Sequence, residues 1–442
     1  MENLRGAEQS ESCLAIADAA FPNPFVSGLE YGAPARGPWN IVHLGMLIPE
    51  SHQIFVCAQG CLRGVVLTAA ELGALNRFST VTIEESNVLV GNMEELLIEG
   101  VSDIIREMEQ KPRAILVFTS CIHHFIACDL GLAYRELRRR FPTIDFTDCY
   151  MTPILRKSGL SPDVMMRKQL YSLLQPLPQL SQQVNIIGNA TPLAESCDLK
   201  QLLSAGGYDC RELPLCHTYD QYLQMAQSRV NITTIPTAQA AGEDLAARLG
   251  QTHLYLPFSY DFTQISHSLK QLAQVLNLPL LDDVSAQSAA MAALAEAQAV
   301  VGEMPIVIDY TATTRPLGLG RLLLEQGFVV TKIYADGFNE EEKADFMWLQ
   351  AHHSELEISA TVHHQLGGLP RKTGAVLSGK LLAIDQKAAY FSGTKHFVNL
   401  VEGGGLWGFD GIIALARLMI DAVGREQDTK EIIQIKGWGC CG

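Results

Sequence analysis

The sequence predicts an α/β protein built from repeated strand–helix–strand units with parallel sheets. Short apolar runs alternate along the chain with longer segments in which apolar residues recur every three or four positions. The short runs are typical of strands buried on both faces, and the longer segments are typical of the helices that cover such a sheet. At 442 residues, 48% of them apolar, the chain is long enough to bury about two or three separate cores.

The predicted elements follow an irregular, Pro- and Gly-rich stretch at 1–40 that contains one short helix at 14–20. The first unit contains, in order, strand 53–56, helix 62–76, helix 93–108, strand 114–118, helix 130–141 and strand 143–150. Two further units repeat the order strand, helix, strand, at 184–188, 198–205 and 208–213, and at 306–310, 317–326 and 328–334. A Gly-rich loop then precedes an apolar helix at 412–422.

Domain boundaries are predicted from changes in composition. The segment 174–183 is rich in Leu, Pro and Gln and is the best candidate for a linker. We therefore expect four parts along the chain: a first domain at 1–182, a second at 183–305, a third at 306–400 and a C-terminal segment at 401–442.

Charge and hydropathy exclude several classes of function. The chain has 33 Lys and Arg against 48 Asp and Glu, a formal net charge of −15, and no Lys/Arg-rich run, so nucleic acid is not an expected partner. No uninterrupted apolar stretch reaches the ~20 residues of a membrane span, and the first residues lack the order of a signal peptide. We expect a soluble, cytoplasmic protein with no membrane partner.

Three of the eleven cysteines occur where a cofactor could be held. Cys57 and Cys61 flank a tight loop, and Cys121 directly follows a predicted strand, so it should lie at the carboxyl edge of a sheet, where ligands gather. Iron–sulfur clusters need thiolate ligands, and Gly60 would let the backbone approach such a group. Buried, unreactive thiols are the alternative. Zinc is less favoured because no second close pair of Cys or His completes a four-ligand set.

Polar residues after Cys121 are candidates for moving protons. His123 and His124 follow it closely, after Ile122, and Asp129 lies about one helical turn further on. A neutral imidazole can deliver a proton near pH 7, although plain packed or solvated polar residues are the alternative. The printed sequence contains no P-loop signature, so nucleotide hydrolysis is not expected on this chain.

Three segments together resemble the nitrogenase component 1 type oxidoreductase family. Residues 56–61 (VCAQGC) resemble the family's HGPxGC loop, 119–129 resemble its TxC segment ending in GDD, and 405–411 (GLWGFDG) resemble its Gly-rich segment before a helix. The resemblance implies that Cys61 and Cys121 are cluster ligands. It also implies three Rossmann-like domains with parallel sheets, and C-terminal helices that return to the first domain.

The sequence departs from the family pattern at other ligand positions. A third cluster ligand is expected in the lead-in, but 30–33 contains no cysteine, so Cys57 or a residue of a partner chain would replace it. The cysteine that anchors the nitrogenase cofactor would fall at 231–234 (NITT), and the anchoring histidine falls at Trp407. The resemblance therefore implies a relative that is not a true nitrogenase, with Gly60 and Trp407 at cofactor-binding positions.

The implied function is that of a nitrogenase-like reductase subunit. It would accept electrons from a separate ATP-hydrolysing iron protein, through an iron–sulfur cluster at a subunit interface, and reduce a small molecule other than dinitrogen. The cluster would be a [4Fe-4S] or a larger, P-cluster-like group held by Cys57, Cys61 and Cys121, and a second metallocofactor is left open. The partner would be a homologous component 1 chain or a second copy of this chain, in a dimer or heterotetramer. A non-catalytic scaffold for cofactor assembly, and a binding protein without a cluster, are the alternatives.

Overall fold

Three sheets flanked by helices form the described part of the chain. This computed structural model describes residues 12–26, 41–151, 160–279, 282–364, 366 and 380–427. The segment 30–33 and the C-terminal pair Cys440 and Cys441 lie outside these residues. Within the described ranges, none of the helices combines the length and apolar character that crossing a membrane requires.

The strands and helices alternate as the apolar pattern predicts. The strands are β1 (Cys13–Ala15), β2 (Ser51–Cys57), β3 (Phe78–Thr82), β4 (Ala114–Ser120), β5 (Asp145–Met151), β6 (Leu180–Ile187), β7 (Asp209–Glu212), β8 (Ser228–Thr233), β9 (Thr252–Tyr255), β10 (Ile306–Asp309), β11 (Val330–Tyr334), β12 (Glu357–Ser359), β13 (Leu382–Ile384) and β14 (His396–Val398). The helices are α1 (Ile41–Met46), α2 (Gln59–Glu71), α3 (Glu85–Val90), α4 (Met93–Glu107), α5 (Cys121–Phe125), α6 (Leu130–Arg140), α7 (Pro162–Gln169), α8 (Asp198–Ala205), α9 (Tyr219–Leu223), α10 (Gln239–Leu249), α11 (Phe262–Leu276), α12 (Asp283–Val301), α13 (Pro316–Glu325), α14 (Lys343–His352), α15 (Gln386–Ser392) and α16 (Gly408–Gly424).

Each sheet is built around a reversal in strand order. The first sheet has the order β3-β2-β4-β5, the second β7-β6-β8-β9, and the third β1-β12-β11-β10-β13-β14. All neighbouring strands are parallel except β1, which pairs antiparallel with β12. The strand order changes direction between β2 and β4, between β6 and β8, and between β10 and β13. We call these pairs the switch points, because parallel sheets bind ligands beside the carboxyl ends of such strands.

The described residues divide into two compact units. Unit 1 contains the third sheet and comprises the described residues of Met1–Pro38, Leu193–Gly206 and Phe258–Gly442. Unit 2 contains the first and second sheets and comprises the described residues of Trp39–Pro192 and Gly207–Pro257. The two sheets of unit 2 share one hydrophobic core, to which Phe55 and Phe118 contribute from one sheet and Ile187 from the other. The proposed linker 174–183 lies within unit 2, and its last residues already form the start of β6. The four predicted parts along the chain stay a prediction.

The central strands of the first sheet are buried along their whole length. All seven residues of β2 and all seven of β4 are buried. Ile54 and Val56 face one apolar core, while Phe55 and Cys57 face the other, so helices must cover both faces. The rings of Phe55 and Phe118 stack with centroids 4.2 Å apart across the strand pair. Burying each such ring contributes about 1.5–3 kcal/mol, which makes this pair a strong determinant of the strand register.

The helix predicted at 14–20 is wrong. Cys13–Ala15 forms the edge strand β1, and a 3-10 turn at Ile16–Asp18 follows. The strand pairs with β12 in the register Cys13↔Ser359, so its conformation depends on a partner that is distant in sequence. Local helical spacing cannot anticipate such pairing, because tertiary contacts override propensity in short segments.

The last described helix, α16, begins at a tightly constrained glycine of unit 1. Gly408 has φ +80°, and a Cβ at this position would lie 2.3 Å from Oδ2 of Asp198. The same oxygen accepts a 2.9 Å hydrogen bond from the Asp410 N–H in the first turn of α16. Burial raises the pKa of Asp198 although backbone N–H groups stabilise its ionised form. The carboxyl group therefore supplies the cap that Trp407, at the N-cap position, does not provide.

We expect Gly408→Ala to lower the free energy of unfolding by about 2 kcal/mol or more, because positive φ alone costs an L-residue about 1–2 kcal/mol and the methyl group displaces Asp198. Gly424→Ala in the same helix is the matched control, since a Cβ there meets nothing within 4 Å. It should be neutral or stabilise by about 0.5–1 kcal/mol. Urea unfolding of both variants measures this, and an equal effect of the two would contradict the constraint.

Candidate functional site

Two of the predicted cysteines lie side by side at the first switch point. Strands β2 and β4 are parallel, with Val56 opposite Thr119. Cys57 is the last residue of β2, and Cys121 is the first residue of α5, directly after β4. Because paired strands are only about 4.8 Å apart, the two residues leave the sheet as neighbours. The structure thus brings together two thiols that are far apart in sequence.

The third cysteine lies in the first turn of α2, which follows β2. Ala58 has extended backbone angles, and the Cys61 N–H donates a 2.9 Å hydrogen bond to its carbonyl oxygen. Ala58 offers no side chain to cap α2, so first-turn N–H groups of this helix are available to a bound anion. A Cβ on Gly60 would meet nothing within 4 Å, and the Cys61 side chain is exposed. This loop is therefore open on its outer side.

The three thiols influence one another electrostatically. Burial first, and then the nearby Cys61 and Cys121 thiols, raise the pKa of Cys57 to about 12. Ionising Cys57 is therefore unfavourable unless a positive charge compensates it, and a metal centre provides such a charge. Among the described side chains, no three of His, Cys, Asp or Glu converge closely enough to hold a single metal ion. In a polynuclear cluster the protein ligands bind different metal atoms and need not converge on one point. The thiols therefore fit such a cluster better than a single ion.

The two histidines after Cys121 point in different directions. His123 is only 2% exposed, and its Nδ1 accepts a 3.2 Å hydrogen bond from the Ser120 N–H. The proton of the neutral ring is therefore assigned to Nε2, which is buried without a hydrogen-bond partner in the described structure. Burial lowers the pKa of His123, which favours this neutral form. His124 is exposed beside Phe125.

Asp129 has a structural contact that accounts for its side chain. Its Oδ1 accepts a 2.8 Å hydrogen bond from the Leu132 N–H and so caps α6. Its own N–H donates a 2.6 Å hydrogen bond to Glu94, whose carboxylate also bonds the Cys128 thiol. Burial and this carboxylate raise the pKa of Cys128 to about 12. The sequence interpretation missed the Glu94 anchor, which depends on tertiary structure, and the cap, which an Asp before a helix could have indicated.

The positions that depart from the family pattern have other partners. Trp407 lies in unit 1 at the start of α16 and is 1% exposed. In unit 2, the Thr233 hydroxyl is 2.8 Å from Nε2 of His253, and the Thr234 hydroxyl donates a 3.0 Å hydrogen bond to Asn189. Thr233 ends β8 at the second switch point and Thr234 follows it. Both offer hydroxyl groups, not the soft thiolate that the nitrogenase cofactor would need there.

Comparison with known proteins identifies the family and supports the fold. The profile of the family described as nitrogenase component 1 type oxidoreductase matches residues 42–423. A solved structure described as nitrogenase Cp1 at pH 6.5 superposes with a TM-score of 0.65 at 12% identity, covering 90% of this chain and 94% of that chain. The structure described as nitrogenase Cp1 at pH 5 gives 0.58 at 12% identity, with 94% of both chains covered. No curated protein sequence matches the chain. The predicted α/β fold class is confirmed.

Burial should set the order in which the thiols of the metal-free, folded protein react with iodoacetamide. Cys61 is exposed, whereas Cys57 and Cys149 are buried and burial raises the pKa of both thiols. Because the thiolate is the nucleophile, we expect Cys61 to be alkylated at least about tenfold faster than Cys57. Timed alkylation followed by peptide mass spectrometry measures the order, with Cys149 as the internal control. Equal rates at Cys57 and Cys61 would contradict the described site.

Proposed function

The chain belongs to the nitrogenase component 1 type oxidoreductase family, and on this premise we propose that it is a cytoplasmic, nitrogenase-like reductase subunit. In this proposal it holds an iron–sulfur cluster at an interface with a second component 1 chain. Electrons reach the cluster from an ATP-hydrolysing iron protein, and a small molecule other than dinitrogen is reduced.

The observation that carries the proposal is the meeting of three thiols at the first switch point. Cys61 and Cys121 would hold the cluster, with Cys57 as the additional ligand, and Gly60 leaves room beside the loop. The orphaned Nε2–H of His123 is a buried donor in the same segment as Cys121, and sulfides of clusters accept such hydrogen bonds. A bound cluster, [4Fe-4S] or larger, supplies one-electron transfer.

Exposed apolar residues beside the cysteines support an interface with a partner chain. Phe125 is 68% exposed, and Ile126 and Leu132 are also exposed on the segment that follows Cys121. Exposed apolar side chains grouped beside one site support a protein interface there. A homologous chain or a second copy of this chain would cover them and contribute ligands that this chain lacks.

The electron donor and the substrate are inferred from what the sequence offers. With no P-loop signature in the printed sequence, ATP hydrolysis falls to a separate iron protein. Thr233 and Trp407 stand near or at the positions of the nitrogenase anchors, which supports a different substrate or second cofactor. We assign proton delivery to His123, with His124 and Asp129 on the solvent side. A scaffold that assembles a cofactor and releases it without turnover uses the same ligands and is the competing proposal.

The ligand assignment predicts which cysteines control the colour of the protein. After anaerobic purification, the full chain should contain iron and sulfide and absorb visible light, and Cys61→Ala or Cys121→Ala should remove most of both. Cys210→Ala is the matched control, because Cys210 is a partly exposed thiol on β7 of the second sheet, and Cys197→Ala is a second control in unit 1. A colourless, iron-free wild-type protein would overturn the cluster proposal.

Electron flow distinguishes the enzyme from the scaffold. When the cognate iron protein, ATP and a low-potential reductant are added, the proposed reductase should show reduction of its cluster that requires ATP and continues when substrate is present. Electron paramagnetic resonance measures the reduction, with a non-hydrolysable ATP analogue as the control. A cluster that stays oxidised, or that moves intact to an acceptor protein, would favour the scaffold.

A further inference from the structure

The third switch point, in unit 1, joins two buried carboxyl groups. Asp309 ends β10 and Asp385 follows β13, and the parallel register pairs Ile308 with Ile384 just before them. Both aspartates are 0% exposed. Buried carboxyl groups are rare without a compensating partner, and the proposed reductase function does not use this pair.

Asp385 occupies a backbone conformation that a side chain normally avoids. Its φ is 79° and its ψ is 174°, a region that is essentially restricted to glycine. Glycine at this position would relieve the strain. The presence of an aspartate, with its carboxyl group buried against another carboxyl group, indicates that the carboxyl group itself is needed.

The hydrogen bonds around the pair require a proton on one of the two carboxyl groups. The Thr311 hydroxyl lies within hydrogen-bond distance of Oδ1 of Asp309 and is 2.7 Å from Oδ2 of Asp385. A hydroxyl group has one hydrogen and can donate to only one of them. Asp309 also accepts from the N–H groups of Thr311 at 2.7 Å and Ala388 at 2.8 Å. Asp385 accepts a longer 3.3 Å bond from the Leu400 N–H and a bond from the adjacent Gln386 N–H. Asp309 is therefore the better stabilised anion.

We propose that Asp309, Thr311 and Asp385 form a buried proton-binding site in which Asp385 holds the proton at neutral pH and donates it to the Thr311 hydroxyl. Thr311 in turn donates its hydrogen to Asp309. Every hydrogen bond in the triad then has one donor and one acceptor. This inference does not depend on the proposed reductase function.

The surrounding charges also favour a single proton on the pair of carboxyl groups. Lys387, 3% exposed, faces the pair from α15, and its Nζ donates to the Tyr310 hydroxyl at 2.8 Å and to the Thr361 hydroxyl at 3.4 Å. With one proton on the pair, one buried carboxylate balances this one ammonium group. The remaining acid near Lys387, Asp336, is bound by the Thr361 hydroxyl and N–H.

Electrostatics supports this assignment. Burial, followed by the Asp309 carboxylate, raises the pKa of Asp385 to about 8. Burial also lowers the pKa of Lys387, although Asp309, Asp336 and Asp385 oppose this. An unfolded Asp ionises near pH 4, so between about pH 4 and 8 the folded chain holds a proton that the unfolded chain has lost. The contribution of Asp385 to stability therefore falls as the pH rises through this range.

Infrared spectroscopy of the full chain tests the proton directly. The wild-type spectrum at pH 7 should contain the C=O stretch of a protonated carboxylic acid, and the Asp385 component should disappear as the pH passes about 8 and be absent from Asp385→Asn. Burial also raises the pKa of Glu342 to about 8, so Glu342→Gln is needed to identify its separate component. A spectrum that Asp385→Asn leaves unchanged would overturn the proposal.

Urea unfolding at several pH values gives the second test. Asp385→Asn keeps an N–H donor toward Thr311 but cannot ionise, so its folding constant relative to wild type should rise by at least about tenfold between pH 5 and 8. Asp385→Gly also cannot ionise, so its folding constant relative to wild type should rise between pH 5 and 8 in the same way, whatever its stability at a single pH. A ratio that is constant with pH for both variants would overturn the proposal.

Discussion

The reversal of strand order in each parallel sheet is the constraint on which the sites of this protein depend. A parallel strand cannot be joined to its neighbour by a tight turn, so the chain leaves the carboxyl edge and enters a covering helix. Where the order reverses, the helices after the two central strands cover opposite faces and leave a crevice between the strand ends. The register of the strands then determines which side chains lie together at this crevice. Because Val56 lies opposite Thr119, the cysteines that follow β2 and β4 are adjacent.

The first and third switch points differ in how their buried polar groups are hydrogen-bonded. At the third, Asp309, Thr311 and Asp385 satisfy one another, so the crevice is filled by the protein itself. At the first, the His123 ring has an unpartnered nitrogen and the loop at Gly60 is open, so the side chains are not satisfied within the described chain. Unsatisfied buried donors are costly, about 1–3 kcal/mol each, and this cost favours a group bound at the first switch point.

Sequence alone indicated the features that are periodic or local. The apolar runs that form β4 and β10 predicted the strands, and a strand followed by Cys121 predicted the position of that thiol. Features that depend on distant pairing could not be read in this way. Strand β1 is only three residues long and is formed by its contact with β12, and nothing near Asp309 in sequence identifies Asp385 as its partner. The Asp129 cap could have been predicted from the sequence, since an Asp directly before a helix is a local signal.

The family pattern expects a third ligand cysteine in the lead-in, where this sequence has none. The different burial of Cys61 and Cys57 shows what it would require for Cys57 to replace that ligand. Cys61 is exposed, so it can reach a cluster shared with another chain, whereas Cys57 is packed in the apolar core that the two sheets of unit 2 share. A thiol with a pKa near 12 ionises only when a metal compensates its charge and its desolvation. Under the proposed function, Cys57 would hold the cluster together with Cys61 and Cys121, and the cluster would have to compensate the ionisation of this buried thiol. Its strength as a ligand then depends on how far the core can relax, because moving its sulfur out of close packing costs dispersion energy.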